Sequence, residues 1–462
     1  MDDLEKAPST SADSLNYVEP DPLAPVNYQR NIYGSFRKPL FSTNAEEWER
    51  LARQRIPAQN FGYVYGSAST ASTHGANRAA FDRYRLKPRM LVNVTRRDLS
   101  VELFGTRYPT PLLAAPIGVQ GILHRDAEDA TARACKDLQI PMILSTAADR
   151  SIEQIAASNG PRGHRWFQLY WPRPQDDCVT ISLLDRAAQS GYTALVVTLD
   201  TFTLGWRPTD LDTSYLPFPW GQGCAVGFTD PVFNARYLES QRQQSLVPLT
   251  ARLAESWNLL RRPGTLYGAL RMLLNASTLR KSQAWISTTY SNTYHDWSQL
   301  CLLRSHWPSH LPILLKGIQT VSDAHLAIKH LGPDLSRAGI IVSNHGGRQL
   351  DGAVSSLHAL DRIAADPLVR ESGITILFDS GIRTGSDVLK ALALGAQAVL
   401  IGRPYAYGLA IKGEEGVKHV FKCLTGELDN ALANLGKTGL RSLGREDLEV
   451  EEERRWNGKA KL

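Results

Sequence analysis

The 462-residue chain is 43% hydrophobic and 21% charged, the balance of a soluble globular protein with length for one large domain plus additions or two or three ordinary ones. Its net charge of +6, from 52 basic against 46 acidic residues, is dispersed without a long run of like charges, which argues against nucleic-acid binding. The five cysteines lie far apart with no C-x-x-C pair, so neither a zinc or other metal site nor a disulfide framework is indicated, and no stretch nears the roughly 18–20 apolar residues needed to span a membrane.

In chain order, the N-terminus "MDDLEKAPSTSADS" is polar and acidic, unlike a secretory signal. Residues 1–40 are rich in Pro, Ser, Asp and Asn and are expected to form a mobile arm ahead of a main domain spanning 41–445. A helix is expected from "STNAEEWERLARQRI". Thr43 or Asn44 is placed to cap it, and Glu46 and Glu47 fall in the first turn, where the helix dipole favours acids.

Eight short apolar runs bounded by turn residues follow: "PLLAAPIG" (111–118), "PMILST" (141–146), "RWFQLY" (165–170), "ALVVTLD" (194–200), "PILLKG" (312–317), "GIIVSN" (339–344), "TILFDSG" (375–381) and "AVLIGRP" (398–404). Helical patterns such as "DAEDATARACKDLQ" and "TGSDVLKALALGA" lie between them. Near-continuous apolar strands imply burial on both faces, as parallel sheets require. An α/β fold results, a (β/α)8 TIM barrel with an N-terminal helical extension; an open doubly wound sheet is the alternative. The gap after the fourth run, residues 201–311, is far longer than an ordinary βα connection. It is expected to act as a lid, against the alternative of an idle decoration. Residues 446–462 form a tail ending in Ala460-Lys461-Leu462, a variant of the S-K-L peroxisomal address; a cytoplasmic location is the alternative.

Polar residues gather where the runs end. The third run ends in Gln168 and Tyr170, the fourth in Thr198 and Asp200, and the fifth in Lys316. The sixth leads into Ser343, His345 and Arg348, the seventh into Asp379 and Arg383, and the eighth into Gly402 and Arg403. Ionisable groups at five consecutive strand ends point to an active site on the C-terminal face of the barrel. Gly381 and Gly402 beside Arg383 and Arg403 favour a phosphate-bearing ligand. Asp200 and His345 form a natural base pair, the carboxylate fixing the imidazole tautomer and raising its pKa. Arg348 and Arg207 can hold a carboxylate through bidentate forks, with ordinary surface pairing the alternative for Arg207.

"SNHGGRQLDG", together with "PRMLVNVTRRDLSVELFG", "FQLY", "LKGIQT", "DSGIRTGSDVLKALALGA" and "IGRPYAYGLA" in matching order, resembles the FMN-dependent α-hydroxy acid oxidising family over residues 42–445. Glycolate oxidase and lactate oxidase belong to that family. The resemblance implies that His345, oriented by Asp200, takes a proton from the substrate, and that Tyr170 contacts its hydroxyl. Arg207, Arg348 and Tyr63 would hold the carboxylate. Lys316 would lie beside the flavin N1 and C2 carbonyl. Ser145, Gln168 and Thr198, with the backbone of Pro116, Ile117 and Gly118, would hydrogen-bond the ring system. Ser343, Asp379, Gly381, Arg383, Gly402 and Arg403 would bind the ribityl chain and phosphate. A small 2-hydroxy acid, oxygen as acceptor and a homotetramer are further implications.

Gly118 in "APIGVQ", where the oxidases carry alanine, and "GWRPTDLDTSYLPF" with a long insertion lean toward the lactate 2-monooxygenase type. The loop 205–310 matches the family only in its first third. Two alternatives of other classes stand beside this one: a non-redox phosphate-binding isomerase or lyase barrel, and a non-catalytic flavoprotein.

Overall fold

All eight apolar runs become strands of one closed parallel barrel in the computed structural model, which describes residues 21, 23–245, 274–290 and 292–451. They are β1 (Leu112–Ala114), β2 (Met142–Ser145), β3 (Arg165–Tyr170), β4 (Leu195–Thr198), β5 (Ile313–Ile318), β6 (Ala338–Val342), β7 (Thr375–Phe378) and β8 (Ala398–Ile401). Each pairs in parallel with its neighbour in sequence, and β8 closes on β1 through Val399–Leu112 and Ile401–Ala114. The open doubly wound alternative is thereby excluded.

Alternation along the strands explains why the runs are apolar throughout. Leu113, Ile143, Val196, Leu314, Ile341, Leu377 and Leu400 point into the barrel and form one cluster. Their neighbours Leu112, Leu144, Val197, Leu315, Ile340, Phe378 and Val399 point outward into a second, larger cluster under the helices. An antiparallel hairpin, Val101–Leu103 with Thr106–Tyr108, adds Leu103 and Tyr108 to the inner cluster, and Phe104 meets Trp166 edge-on at 6.0 Å. The hairpin caps the N-terminal mouth of the barrel, so the C-terminal mouth is left for a site.

Among the described residues four α-helices precede the barrel: α1 (Asn27–Ser35), α2 (Ala45–Arg53), α3 (Ala58–Tyr65) and α4 (Ser72–Ala79). Asn44 caps α2 as expected, its side chain accepting from Glu46 N at 3.0 Å. The described part of the segment expected as a mobile arm is folded against the end of the chain. Val26 N donates to Asp429 at 2.9 Å and the Tyr28 hydroxyl meets His419 Nδ1 at 2.6 Å. Buried polar partners on the C-terminal helix thus order a stretch whose composition reads as loop. At the other end, Leu448–Val450 pair antiparallel with Tyr84–Leu86, so the folded body extends past 445. Ala460-Lys461-Leu462 lie outside the described residues.

After β4 the chain leaves the barrel for the long insertion. Its described parts include short helices at Pro208–Leu211 and Ala225–Phe228, a longer one at Pro231–Ser245, and α5 (Ala276–Thr289). The helix Leu300–His306 then packs between the helices Asp177–Gln189 and Val321–Leu331, the place in the outer ring where the helix following β4 belongs. After β8, the long helix α6 (Arg403–Asn434) completes the ring and packs on α2. No helix among the described residues is long and apolar enough to cross a membrane.

Candidate active site

A cavity of about 1050 Å³, its outer part open to solvent, occupies the C-terminal mouth. Of the residues singled out from the sequence, Tyr63, Pro116, Ile117, Gly118, Tyr170, Arg207, Lys316, His345, Arg348, Asp379, Gly381, Arg383, Gly402 and Arg403 line it. The remaining five, Ser145, Gln168, Thr198, Asp200 and Ser343, stand directly behind that lining.

Their arrangement is cooperative. Ser145 Oγ donates to Gln168 Oε1 at 3.0 Å, and Gln168 Nε2 donates to Thr198 Oγ1 at 2.9 Å, a buried polar row across β2, β3 and β4. Lys316 Nζ donates to Ser343 Oγ at 2.9 Å and stands 3.5 Å from Asp379 and 3.9 Å from Asp200. Burial would lower its pKa, but the two aspartates outweigh burial and raise it, so the ammonium stays charged.

His345 Nδ1 lies 2.8 Å from Asp200 Oδ1, and Thr201 Oγ1 donates to the same oxygen at 2.7 Å. Asp200 Oδ2 is buried without a hydrogen-bond partner. Burial would raise the Asp200 pKa, yet His345 and Lys316 pull it well below the usual carboxylate range. For His345 the sign expected from the sequence is reversed: burial pushes its pKa below 6.5, with Lys316 and Arg207 assisting, and Asp200 only partly offsets them. The imidazole is therefore neutral near pH 7, the form a general base requires. His345 is also held in the left-handed region, at φ 59, within the tight turn that follows β6.

Opposite the histidine, two guanidiniums come together from distant segments. Arg348 Nη1 donates to the carbonyls of Tyr63, Val64 and Gly66 at 2.8 to 3.0 Å, tying the site to the end of α3. Arg207 Nε donates to the Arg348 carbonyl at 3.1 Å, and its Nη2 to Gln349 at 2.7 Å. Arg207 is therefore a buried site residue rather than a surface one. Burial, then Arg207 and Arg403, push the Arg348 pKa down to about 9. Arg403 bonds the Val64, Gly346 and Tyr65 carbonyls, and burial lowers its pKa and that of Arg383. Cations crowded together at this cost call for anionic ligands.

That donor set fits FMN: a cationic end for the phosphate, a polar row and a lysine for the ring edge, and backbone at Pro116–Gly118 for its face. At Gly118 a side chain is ruled out, because a Cβ there would stand 2.6 Å from the Ala147 carbonyl oxygen.

Several lining residues carry no sequence signal. Leu204, Phe218 and Tyr290 come from the insertion and roof the cavity, with Tyr290 5.1 Å from Tyr170 and 5.5 Å from Phe218 between ring centroids. Burial holds the Tyr290 phenol well above its ordinary pKa. Tyr294, four residues on, is 62% exposed, and nothing in "TTYSNTY" tells which tyrosine turns inward.

Residues 52–450 match the family described as FMN-dependent dehydrogenase. An FMN-dependent α-hydroxy acid dehydrogenase of Penicillium citrinum is 42% identical over 91% of this chain and 95% of its own. An L-lactate oxidase of Lysinibacillus sphaericus is 38% identical over 86% and 89% respectively. Among solved structures, a mandelate oxidase superposes with a TM-score of 0.69 at 30% identity, covering 89% of this chain and 99% of that one. These matches set aside the non-redox barrel and the non-catalytic flavoprotein.

Proposed function

The chain belongs to the FMN-dependent dehydrogenase family and oxidises α-hydroxy acids with FMN, and we propose that its substrate is a small (S)-2-hydroxy acid of the lactate class, with oxygen as acceptor. One observation carries this reading: the Asp200–His345 pair and the Arg207–Arg348 pair share one cavity under a close aromatic roof.

Bound FMN supplies a two-electron acceptor. Arg207 and Arg348 bind the substrate carboxylate through charged forks, with the Tyr63 hydroxyl beside them. Asp200 accepts from Nδ1–H of His345, which leaves Nε2 as the basic nitrogen that takes the substrate proton. Tyr170, neutral because burial raises its pKa, donates to the substrate hydroxyl. Lys316 places a positive charge where reduction accumulates negative charge, and Ser145, Gln168 and Thr198 hold the ring edge. Arg383 and Arg403, with Asp379, Gly381, Gly402 and Ser343, hold the ribityl phosphate. Leu204, Phe218 and Tyr290 give the substrate side chain an apolar wall.

The lactate oxidase relative supports both the substrate and the acceptor. The test is anaerobic mixing of the yellow protein with (S)-lactate, glycolate and (S)-mandelate, followed by air. Fastest bleaching with (S)-lactate and recovery of colour in air are expected. Faster bleaching with (S)-mandelate ends the small-substrate reading, and no recovery in air ends the oxygen reading.

The roof favours a second reading, retention of the keto acid with peroxide. Attack of peroxide on the keto carbon then breaks the bond to the carboxylate, giving a shortened acid, carbon dioxide and water. Acetate and carbon dioxide from lactate support it; pyruvate and free peroxide restrict the enzyme to the oxidase reaction. Assembly as a homotetramer belongs to the same proposal and is read by sedimentation.

A further inference from the structure

We propose that a protonated Glu128 beside an ionised Asp149 positions the roof segment Phe218–Ala225 over the cavity. Neither residue lines the cavity, but both accept from backbone N–H groups a few residues from its lining. Asp149 accepts from Gly121 N at 2.7 Å on one oxygen and from Gly223 N at 2.6 Å on the other. The first bond ties the loop after β1, which carries Pro116–Gly118, to the loop after β2. The second ties the insertion to both.

Around Gly223 the fit is tight. It adopts φ +70, and a Cβ there would stand 2.8 Å from Val119 and from the Phe218 ring. Ala225 N donates to the Ala148 carbonyl at 3.1 Å, and Cys224 Sγ lies 3.5 Å from the Phe218 carbonyl. Phe218 thus reaches the cavity from a segment that packs on α5 and is tied to the barrel by Asp149 and Ala148.

Glu128 holds Asp149 in turn. Its Oε1 accepts from Gln120 N at 3.1 Å and from Asp149 N at 3.2 Å, whereas Oε2 is buried with no hydrogen-bond partner. Two buried carboxylates, one bonded to the other's backbone and carrying an orphaned oxygen, cannot both be ionised cheaply. Asp149 accepts two N–H donors and keeps the charge; Glu128 keeps the proton. Facing Glu128 are Asp149 and Tyr405; facing Asp149 are Arg150, Tyr63, Tyr215 and Cys224. Arg150 makes its ion pair with Asp129 at 2.7 Å, and neither carboxylate has an ion pair among the described residues. Burial, then Asp149, push Glu128 up to about 8. An acid raised on folding adds no penalty below its ordinary pKa and destabilises progressively as pH climbs toward the folded value. Opening the roof to water restores the ordinary acidity of Glu128, so the roof is firmest in acid, loosens as pH rises toward about 8, and changes no further above it.

Hydrogen exchange of the Phe218–Ala225 amides in the FMN-loaded full chain tests this, normalised to intrinsic rates from about pH 6 to about pH 9. In the native protein, protection at this segment should fall by up to about tenfold per pH unit as pH rises toward the Glu128 midpoint of about 8, the slope of one proton, and level off above it, while strand amides stay level throughout. Glu128→Gln should hold the segment protected at every pH. A level native profile, an unchanged profile in Glu128→Gln, or a variant unprotected throughout overturns the proposal. If the variant does not fold, infrared spectroscopy of the native protein decides: a protonated carboxylic C=O band must be present at neutral pH and vanish in alkali. The readout is independent of which acid is oxidised, so its failure leaves the substrate proposal untouched.

Discussion

The two halves of the site are built on different physics. The half supplied by the strand ends is polar, charged and over-determined, with Lys316 placed among Ser343, Asp379 and Asp200 and with Asp200 bonded to His345. The half supplied by the insertion, Arg207 apart, is aromatic: Tyr290 meets Tyr170 of β3, and Phe218 meets Tyr290 and Tyr63, ring to ring. Rigid charges suit chemistry, where a misplacement of about 1 Å costs on the order of 10²-fold. Apolar walls suit selection, where one methylene is worth only about 1–3 kcal/mol. Substitutions in the barrel half should therefore change rate, and those in the roof should change preference.

His345→Gln is the largest expected effect. Flavin reduction in stopped flow should fall by roughly 10²–10⁴ while the protein stays yellow. In the native protein the reduction rate should rise with pH to a plateau, with its midpoint below 6.5, because the neutral imidazole is the active form. That acid limb should vanish in the variant. Retained turnover in His345→Gln removes the base assignment.

Arg348→Lys comes next. It keeps the charge but loses the fork and part of the grip on Tyr63, Val64 and Gly66. KM for the acid should rise roughly 10–100-fold, since a hydrogen bond to a charged group is worth about 1.5–3 kcal/mol. An unchanged KM places the carboxylate elsewhere.

Lys316→Met should weaken both flavin retention and its reduction, each by on the order of tenfold, about 1.4 kcal/mol. Equilibrium dialysis and reduction kinetics separate the two. Smallest is Tyr290→Ala, where the ratio of kcat/KM for (S)-mandelate over (S)-lactate should rise by about tenfold with little change in the sum of rates. A uniform loss with both acids blurs the division between the halves.

Much of the barrel half was legible in the sequence. Eight apolar runs, each ending in a polar or glycine cluster, correspond one for one to β1–β8, because a strand buried on both faces must be apolar over its whole length. All five ionisable strand ends face one cavity or back its lining, since parallel strands place their C-terminal ends on one rim. Less was visible in the insertion. Arg207 was identified, but Phe218 and Tyr290 were not, as each is one aromatic among several in a segment without period. Glu128 sits in the first turn of a helix, where an acid is ordinary, and its neighbour Asp149 lies on the loop after β2 and leaves no local mark.

What the chain order alone determined is the alternation of strand and helix, the closure it implies, and which residues sit at the rim, because those follow from periodicity and turn chemistry within a few residues. Tertiary structure decided the rest: the reversed shift at His345, the inward turn of Tyr290, and the pairing of Glu128 with Asp149. Each depends on how much water is removed from a side chain and which distant charge replaces it, and burial is a property of the whole packed molecule.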